Sequence, residues 1–294
     1  MSKTHLIIVP CHSIWKADED DEQENFGQNP EHWLLAPFQY EGNDHLSFMM
    51  HSFLAIEKLV QNLANSVLLY SGSRTKLAAK DLSEARSYYM LSQKLLRAIE
   101  CGDTLPEALS KHKHLMQVCT NILQILSQKR LSVEALFDLS VEVEEFALDS
   151  FDNLLYSIAK FNEMTGLYPS ELTIVGFGFK QSRFIDYHAA AIDFPSQSIN
   201  YISFEPQPSY VEAERLLQYY TGLAAQEKKN ALDLFKDDWY GTRAVLANKK
   251  LSRNPFGLIA SYNLPFELES PIESDEQFFQ KNVCGIMPWS PRIL

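Results

Sequence analysis

The reading of "LTIVGFGFKQSRFIDYHAAAI", residues 172–192, decides the fold. An apolar, β-branched run passes through two closely spaced glycines, Gly176 and Gly178, into a segment with helical spacing. A run that is apolar at every position suits a strand covered on both faces, and such strands belong to parallel sheets flanked by helices. The pattern predicts a strand and turn over 171–179 and a helix from Lys180. On that helix Lys180, Arg183, Phe184, Tyr187 and His188 share one broad arc, with Ile185, Ala189 and Ile192 opposite, against the sheet. A solvated face accounts for this stripe as well as a ligand does. Cations at a helix start nevertheless oppose the helix dipole, and that points to an anion.

Working outward, "HLIIVP" (5–10), "SVLLYSG" (66–72), "VEVEEFALDS" (141–150, ending at Ala147) and "SINYISFEP" (198–206) read as further strands. Helical spacing runs over 43–65, 81–96, 150–166 and 209–228, with Ser83 or Asp81 capping the second helix and Ser150 the third. Strands alternating with helices predict an α/β, Rossmann-like doubly wound fold with a mostly parallel sheet of about five strands flanked by helices. Residues 101–140 form a helical insertion in a domain spanning 1–230, and residues 231–294 an extended C-terminal tail packed on it. Residues 11–43 lack periodicity. They carry an acidic run from Asp18 to Glu24, and Trp15, Trp33, Phe38 and Tyr40, which pack part of the loop as a lid.

The chain has 294 residues and a formal net charge of −12, which excludes the basic footprint that non-specific nucleic-acid binding requires. Its 4 cysteines are scattered, with no C-x-x-C and no N-x-Ser/Thr sequon, as expected of reduced thiols in a cytoplasmic protein. No apolar stretch reaches the ~20 residues of a membrane span, so no membrane partner is expected. No H-x-x-x-H or H-E-x-x-H spacing occurs, and no metal site is expected.

Ligands of open parallel sheets bind outside the carboxyl ends of the strands, so the residues after each strand are the candidates. After the first come Cys11, His12 and Ser13, a possible nucleophile–base pair or, more simply, ligand contacts by His12 and Ser13. After the second come Ser71 and Gly72, then Ser73, Arg74, Thr75 and Lys76, able to cradle a phosphate though without a P-loop's Gly-Lys-Ser/Thr ending. An ordinary exposed loop explains that segment equally. After the third, Asp149, Ser150 and Asn153 are explained by capping, whereas Glu145 near a strand end needs a cation or ligand. After the fourth come Gly176, Gly178, Lys180, Arg183 and His188. A G-x-G without a third glycine is weak support for a dinucleotide site, and no G-x-S-x-G elbow accompanies these serines.

The series "SG" (71–72), "SEA" (83–85), "E..ALDS..N" (145–153) and "VG..FK..RF...HAAA" (175–191) resembles that of the domain-of-unknown-function family 218, and "RNPFG" (253–257) its eukaryotic branch. The resemblance covers residues 5–205 apart from the insertion. It implies a Rossmann-like fold with motif residues Ser71, Gly72, Ser83, Glu84, Glu145, Ser150, Asn153, Lys180, Arg183 and His188 lining the carboxyl edge. The chain departs from the family's bacterial members in having "PCHS" for their glycine-rich first turn, and in lacking a histidine at Phe179 or Lys180.

The leading expectation is a pocket for a small anionic molecule, phosphate- or nucleotide-bearing, in a hydrolase or group transferase that uses no metal. Lys180 and Arg183 hold the anion with helix N-terminal amides after Ser71 and Ser150. Glu84 or Glu145 acts as acid/base or orients the cations, and His12 or His188 moves a proton. The alternatives are a module that binds an adenosyl-type nucleotide as cofactor or ligand without turnover, and an interaction protein whose pocket has decayed.

Overall fold

The computed structural model describes residues 3–17, 25–268 and 271–290, so the acidic run 18–24 lies outside the described residues. Five strands, β1 (His5–Pro10), β2 (Ser66–Ser71), β3 (Val141–Glu144), β4 (Glu171–Gly176) and β5 (Ile199–Ser203), form one sheet in the order β3-β2-β1-β4-β5. Every pairing is parallel, as the uninterrupted apolar runs require. The fold is therefore the expected Rossmann-like α/β arrangement. The chain steps outward from β1 to β3 and then returns to the other side of β1, which makes the β1/β4 boundary the topological switch point.

Alternate side chains of each strand feed two cores. Ile7, Val9, Leu68 and Tyr70 meet helices α1 (Asp44–Gln61) and α2 (Glu84–Cys101). Beyond the short turn α3 (Glu107–Ser110), α4 (Lys113–Lys129) and α5 (Val133–Ser140) add Leu115, Ile122, Leu126, Leu136 and Phe137 to the same core. The helical insertion is thus part of the layer that covers the sheet. Trp15 and Trp33 are buried in this layer, and their ring N–H groups donate to Asn25 Oδ1 (2.7 Å) and Gly27 O (2.8 Å). Phe38, 72% exposed, takes no part in that packing.

On the other face Leu6, Ile8, Leu69 and Ile174 pack against α6 (Ser150–Thr165) and a π-helical segment, Arg183–Ala189. The C-terminal residues complete this core with Phe235, Tyr240, Leu246, Phe266, Val283 and Trp289. They carry three short helices, α8 (Asp233–Asp237), α9 (Ala244–Ser252) and α10 (Asp275–Asn282), where the sequence had suggested an extended run. Helix α7 (Ala213–Glu227) lies outside, with no buried residue. Among the described residues no helix is long and apolar enough to cross a membrane.

Three local expectations are corrected. β3 ends at Glu144 rather than Ala147, because the Glu144 carboxyl accepts the N–H groups of Phe146 and Ala147 at 2.7 and 3.1 Å and curls the chain off the sheet. Asp149, not Ser150, caps α6, accepting the Asp152 N–H at 2.9 Å. Lys180 does not open an α-helix. It closes a 3₁₀ turn, Gly178–Lys180, and the wider π-helical segment follows. An i→i+5 ladder adds residues to each turn, so the 3.6-residue stripe fails there and Phe184, His188 and Ala189 all face inward.

Tyr240 anchors the C-terminal residues to this fold, with no exposed surface and its hydroxyl donating to Ala191 O at 3.0 Å. Tyr240→Ala is expected to cost about 3–5 kcal/mol of stability, and Tyr240→Phe about 1 kcal/mol, in urea titrations followed by fluorescence.

Candidate functional site

At the carboxyl end of β3 the wholly buried Glu144 gathers partners from three segments, β2, its own following loop and the C-terminal residues, and through Ser71 reaches a fourth, α6. Ser71, the last residue of β2, donates its hydroxyl to Oε2 at 2.6 Å. Asn153 of α6 donates to the Ser71 hydroxyl at 2.9 Å and to its carbonyl at 3.1 Å. Tyr262, from the C-terminal residues, donates to Glu144 Oε1 at 3.2 Å. Burial drives the Glu144 carboxyl up to about 7, against the hydrogen bonds of Ser71, Phe146 and Ala147.

One strand nearer the switch point, Glu84 opens α2 and leans over Gly72. A Cβ at Gly72 would stand 3.0 Å from Glu84 Cβ and 3.2 Å from Cys11 Cβ, which is why glycine follows Ser71. Thr75 donates to Glu84 Oε1 at 2.5 Å. Burial raises this carboxyl too, to about 7, while Thr75, Arg253, Lys76 and Lys180 pull it down. Cys11 beside it is buried, donates to Val9 O and is pushed well up by burial and by Glu84, so it is no thiolate nucleophile for His12.

The β4 side supplies cations. The Lys180 amine lies 3.2 Å from His12 Nε2 and over the rings of Phe177 and Phe179, at 5.1 and 5.8 Å from their centroids. Burial and the Arg183 guanidinium bring it down to about 7, against the attraction of Glu227 and Asp44. His12 stacks on Phe177 and is held well below its ordinary value by burial and then by Lys180. Arg253, exposed and donating to Leu148 O at 3.0 Å, stands near enough for its charge to act on His12, Glu84, Lys180 and Arg183.

Ser71, Glu84, Thr75, Asn153, His12 and Lys180 thus meet at one edge of the sheet, with Lys76 acting on Glu84 through its charge. The other candidates have different work. Glu145 turns to α2, accepting from the Ser83 hydroxyl at 2.7 Å and from Arg86 at 3.2 Å, and Ser83 also caps α2. Ser13 donates to Leu34 O and ties down the loop. Arg183 pairs with Glu227 of α7 at 3.1 Å, both nearly buried. His188 lies wholly buried against Phe151, Phe184 and Phe235, with its Nε2 2.7 Å from the Ser150 hydroxyl, and moves no proton at the edge.

The anion-binding amides are likewise occupied by the chain itself. Gly72 N–H donates to Glu144 O and Ser73 N–H to Ala147 O. Gly178 N–H donates to the Glu205 carboxylate at 2.7 Å, and a Cβ there would collide with it. Gly176 accommodates the Tyr201 hydroxyl, which donates to Phe177 O. At the start of α6, Lys250 pairs with Asp149 and Asp152 at 3.3 and 2.7 Å. Among the described residues no three His, Cys, Asp or Glu side chains could hold a metal ion.

Sequence reasoning missed Glu144, since placing the strand end at Ala147 made Glu145 the strand-end carboxylate. The "VEVE" alternation was the available signal. Arg253 and Tyr262 lie in the tail, where only "RNPFG" stood out. The cluster and topology together define a Rossmann-like α/β protein with buried, proton-holding carboxyls facing cations across the end of β1. The chain is 44% identical over 297 residues to the uncharacterized protein YOR238W of Saccharomyces cerevisiae, covering 98% of each chain, and it belongs to that protein's family. No family model matches the chain, and no solved structure matches it.

A carboxyl raised in the folded state favours the fold when protonated, so its contribution is full below the unfolded value of 4.5 and lost as pH rises through about 7. Lys180, lowered from 10.5 to about 7, contributes in the opposite sense: its share is present at high pH and lost as pH falls through 7. Urea midpoints measured against pH should therefore show wild type losing stability relative to Glu144→Gln between pH 4.5 and 7. Lys180→Met should remove the wild type's rise between 7 and 10.5.

Proposed function

We propose that the protein binds a small phosphate- or nucleotide-bearing anion at the carboxyl edge of its sheet and acts on it by hydrolysis or group transfer. The observation that carries this reading is the half-buried Lys180 amine, close to Arg253 and with no carboxylate paired to it among the described residues, in the field of a carboxyl, Glu84, poised near neutrality. An entering anion supplies the counter-charge that Lys180 lacks, and Arg253 at the exposed rim attracts it. Glu84, near pH 7, takes the proton from an attacking water. The Lys180 ammonium gives one to the leaving oxygen as the bond from phosphorus to that oxygen breaks. Glu144 is a positioning residue, orienting Ser71 and the start of α6.

The resemblance of the motif series to that of the domain-of-unknown-function family 218 supports the same edge as the place of binding, and the four unpaired cysteines support a reducing, cytoplasmic setting. A second reading, an adenosyl-nucleotide binder without turnover, is favoured by the half-buried Phe179 ring, which backs onto the buried Phe177 (5.1 Å, 13°) and keeps some exposed surface for a base.

Thermal unfolding with inorganic phosphate, AMP and ATP tests the binding. A ligand in tenfold excess over its Kd is expected to raise the wild-type Tm by about 2 °C. Lys180→Gln combined with Arg253→Ala should abolish that rise. Arg183→Ala is unsuitable, because it strands the buried Glu227. An equal rise in the double variant would refute the assignment. Mass spectrometry of ligand retained through native purification separates the two readings, since an intact nucleotide without turnover favours the binder.

A further inference from the structure

Two inward-facing lysines among the described residues stand in opposite environments. Lys250 sits between Asp149 and Asp152, and these carboxylates fix it as an ammonium ion. Lys180 closes no ion pair among the described residues. Its nitrogen has instead two aromatic faces, the His12 ring nitrogen at 3.2 Å and the charges of Arg183 and Arg253. The nearby Glu227, which would otherwise neutralise it, is held by Arg183. Yet Lys180 is not sealed off, for it and His12 both keep some exposed surface at the edge of the sheet.

These are the surroundings that turn a lysine from a point charge into a nucleophile: partial desolvation, a cationic neighbour and an adjacent base. A lysine serving only as an anion clamp has no need of a neutral imidazole against its nitrogen. Glu84 completes the set as a group able to hold and release a proton near neutrality.

We propose that Lys180 is a nucleophilic amine that forms a Schiff base with a small anionic aldehyde or ketone, the anionic group being held by Arg253. This deepens the anion-site reading and rests on it for the substrate's charge alone. The Nζ lone pair adds to the carbonyl carbon, and the carbonyl π electrons pass to its oxygen, which takes a proton from Glu84. His12 accepts the proton that nitrogen loses, giving the neutral carbinolamine. Return of that proton through Glu84 expels the hydroxyl as water while the nitrogen lone pair closes the C=N bond as an iminium, whose N–H then gives its proton back to the Glu84 carboxylate. The sum is amine plus carbonyl giving imine plus water, with no oxidant or reductant.

Reductive trapping tests the idea on the intact protein. Glycolaldehyde phosphate and, separately, propanal are added with sodium cyanoborohydride, and adducts are located by peptide mass spectrometry. The expected result is a dominant single adduct on Lys180, with a labelling rate that levels off above about pH 7, where surface lysines continue to gain. Glycolaldehyde phosphate should label Lys180 at least about tenfold faster than propanal. Arg253→Ala should remove that preference, and His12→Gln should slow both labels. Dominant labelling of Lys180 by both aldehydes at equal rates upholds the amine and overturns its anion site. Labelling of Lys180 no faster than of exposed lysines, with phosphate still stabilising the protein, overturns the nucleophile and leaves the anion site standing. Because the wild-type adduct map decides the question, the folding of any variant does not limit it.

Discussion

A single buried carboxyl, that of Glu144, holds the carboxyl edge of this sheet together. It accepts from Ser71 on β2, from two amides of its own loop and from Tyr262 of the C-terminal residues. Through Ser71 it also reaches Asn153, and so the first turn of α6. An ionised carboxylate in this position would bear a desolvation cost that no cation offsets, so the group keeps its proton up to about 7. Strand end, helix start and tail are therefore tied to one protonation state.

The neighbouring charges obey the same rule with different outcomes. Where the described residues supply carboxylates, buried cations are fixed: Arg183 with Glu227, and Lys250 with Asp149 and Asp152. Where no ion-pair partner stands among the described residues, ionisable groups sit near neutrality, as Glu84 and Lys180 do. The fixed pairs dock α7 and α9 against the sheet edge. The unfixed groups lie at the carboxyl edge of the sheet, the edge at which doubly wound sheets bind ligands. Chemistry and architecture thus divide the ionisable residues between them.

How much of this was legible from the sequence follows from the range of the forces involved. The runs "HLIIVP", "SVLLY" and "LTIV" announced buried strands because both faces are covered, and the helix-strand alternation then determined a parallel sheet. Lys180, Glu84, Ser71 and Asn153 could be placed at the edge because each follows a strand or opens a helix. Glu145 and Glu144 are adjacent, and only the carboxyl's bonds to the next two amides decide which one turns inward. His188 went astray because a π-helical segment alters the residue count per turn, which no apolar period reveals. Arg253 and Tyr262 arrive from the far end of the chain by tertiary packing, about which local pattern is silent.

The central claim is that Glu84 and Glu144 hold protons near neutral pH beside the Lys180 amine. Carbon-13 NMR titration of labelled glutamate side chains measures this directly, with Glu84→Gln and Glu144→Gln assigning the two signals. Both carboxyl resonances are predicted to shift with midpoints near pH 7, well above the ordinary glutamate value of 4.5. Midpoints for both at the ordinary glutamate value would contradict it.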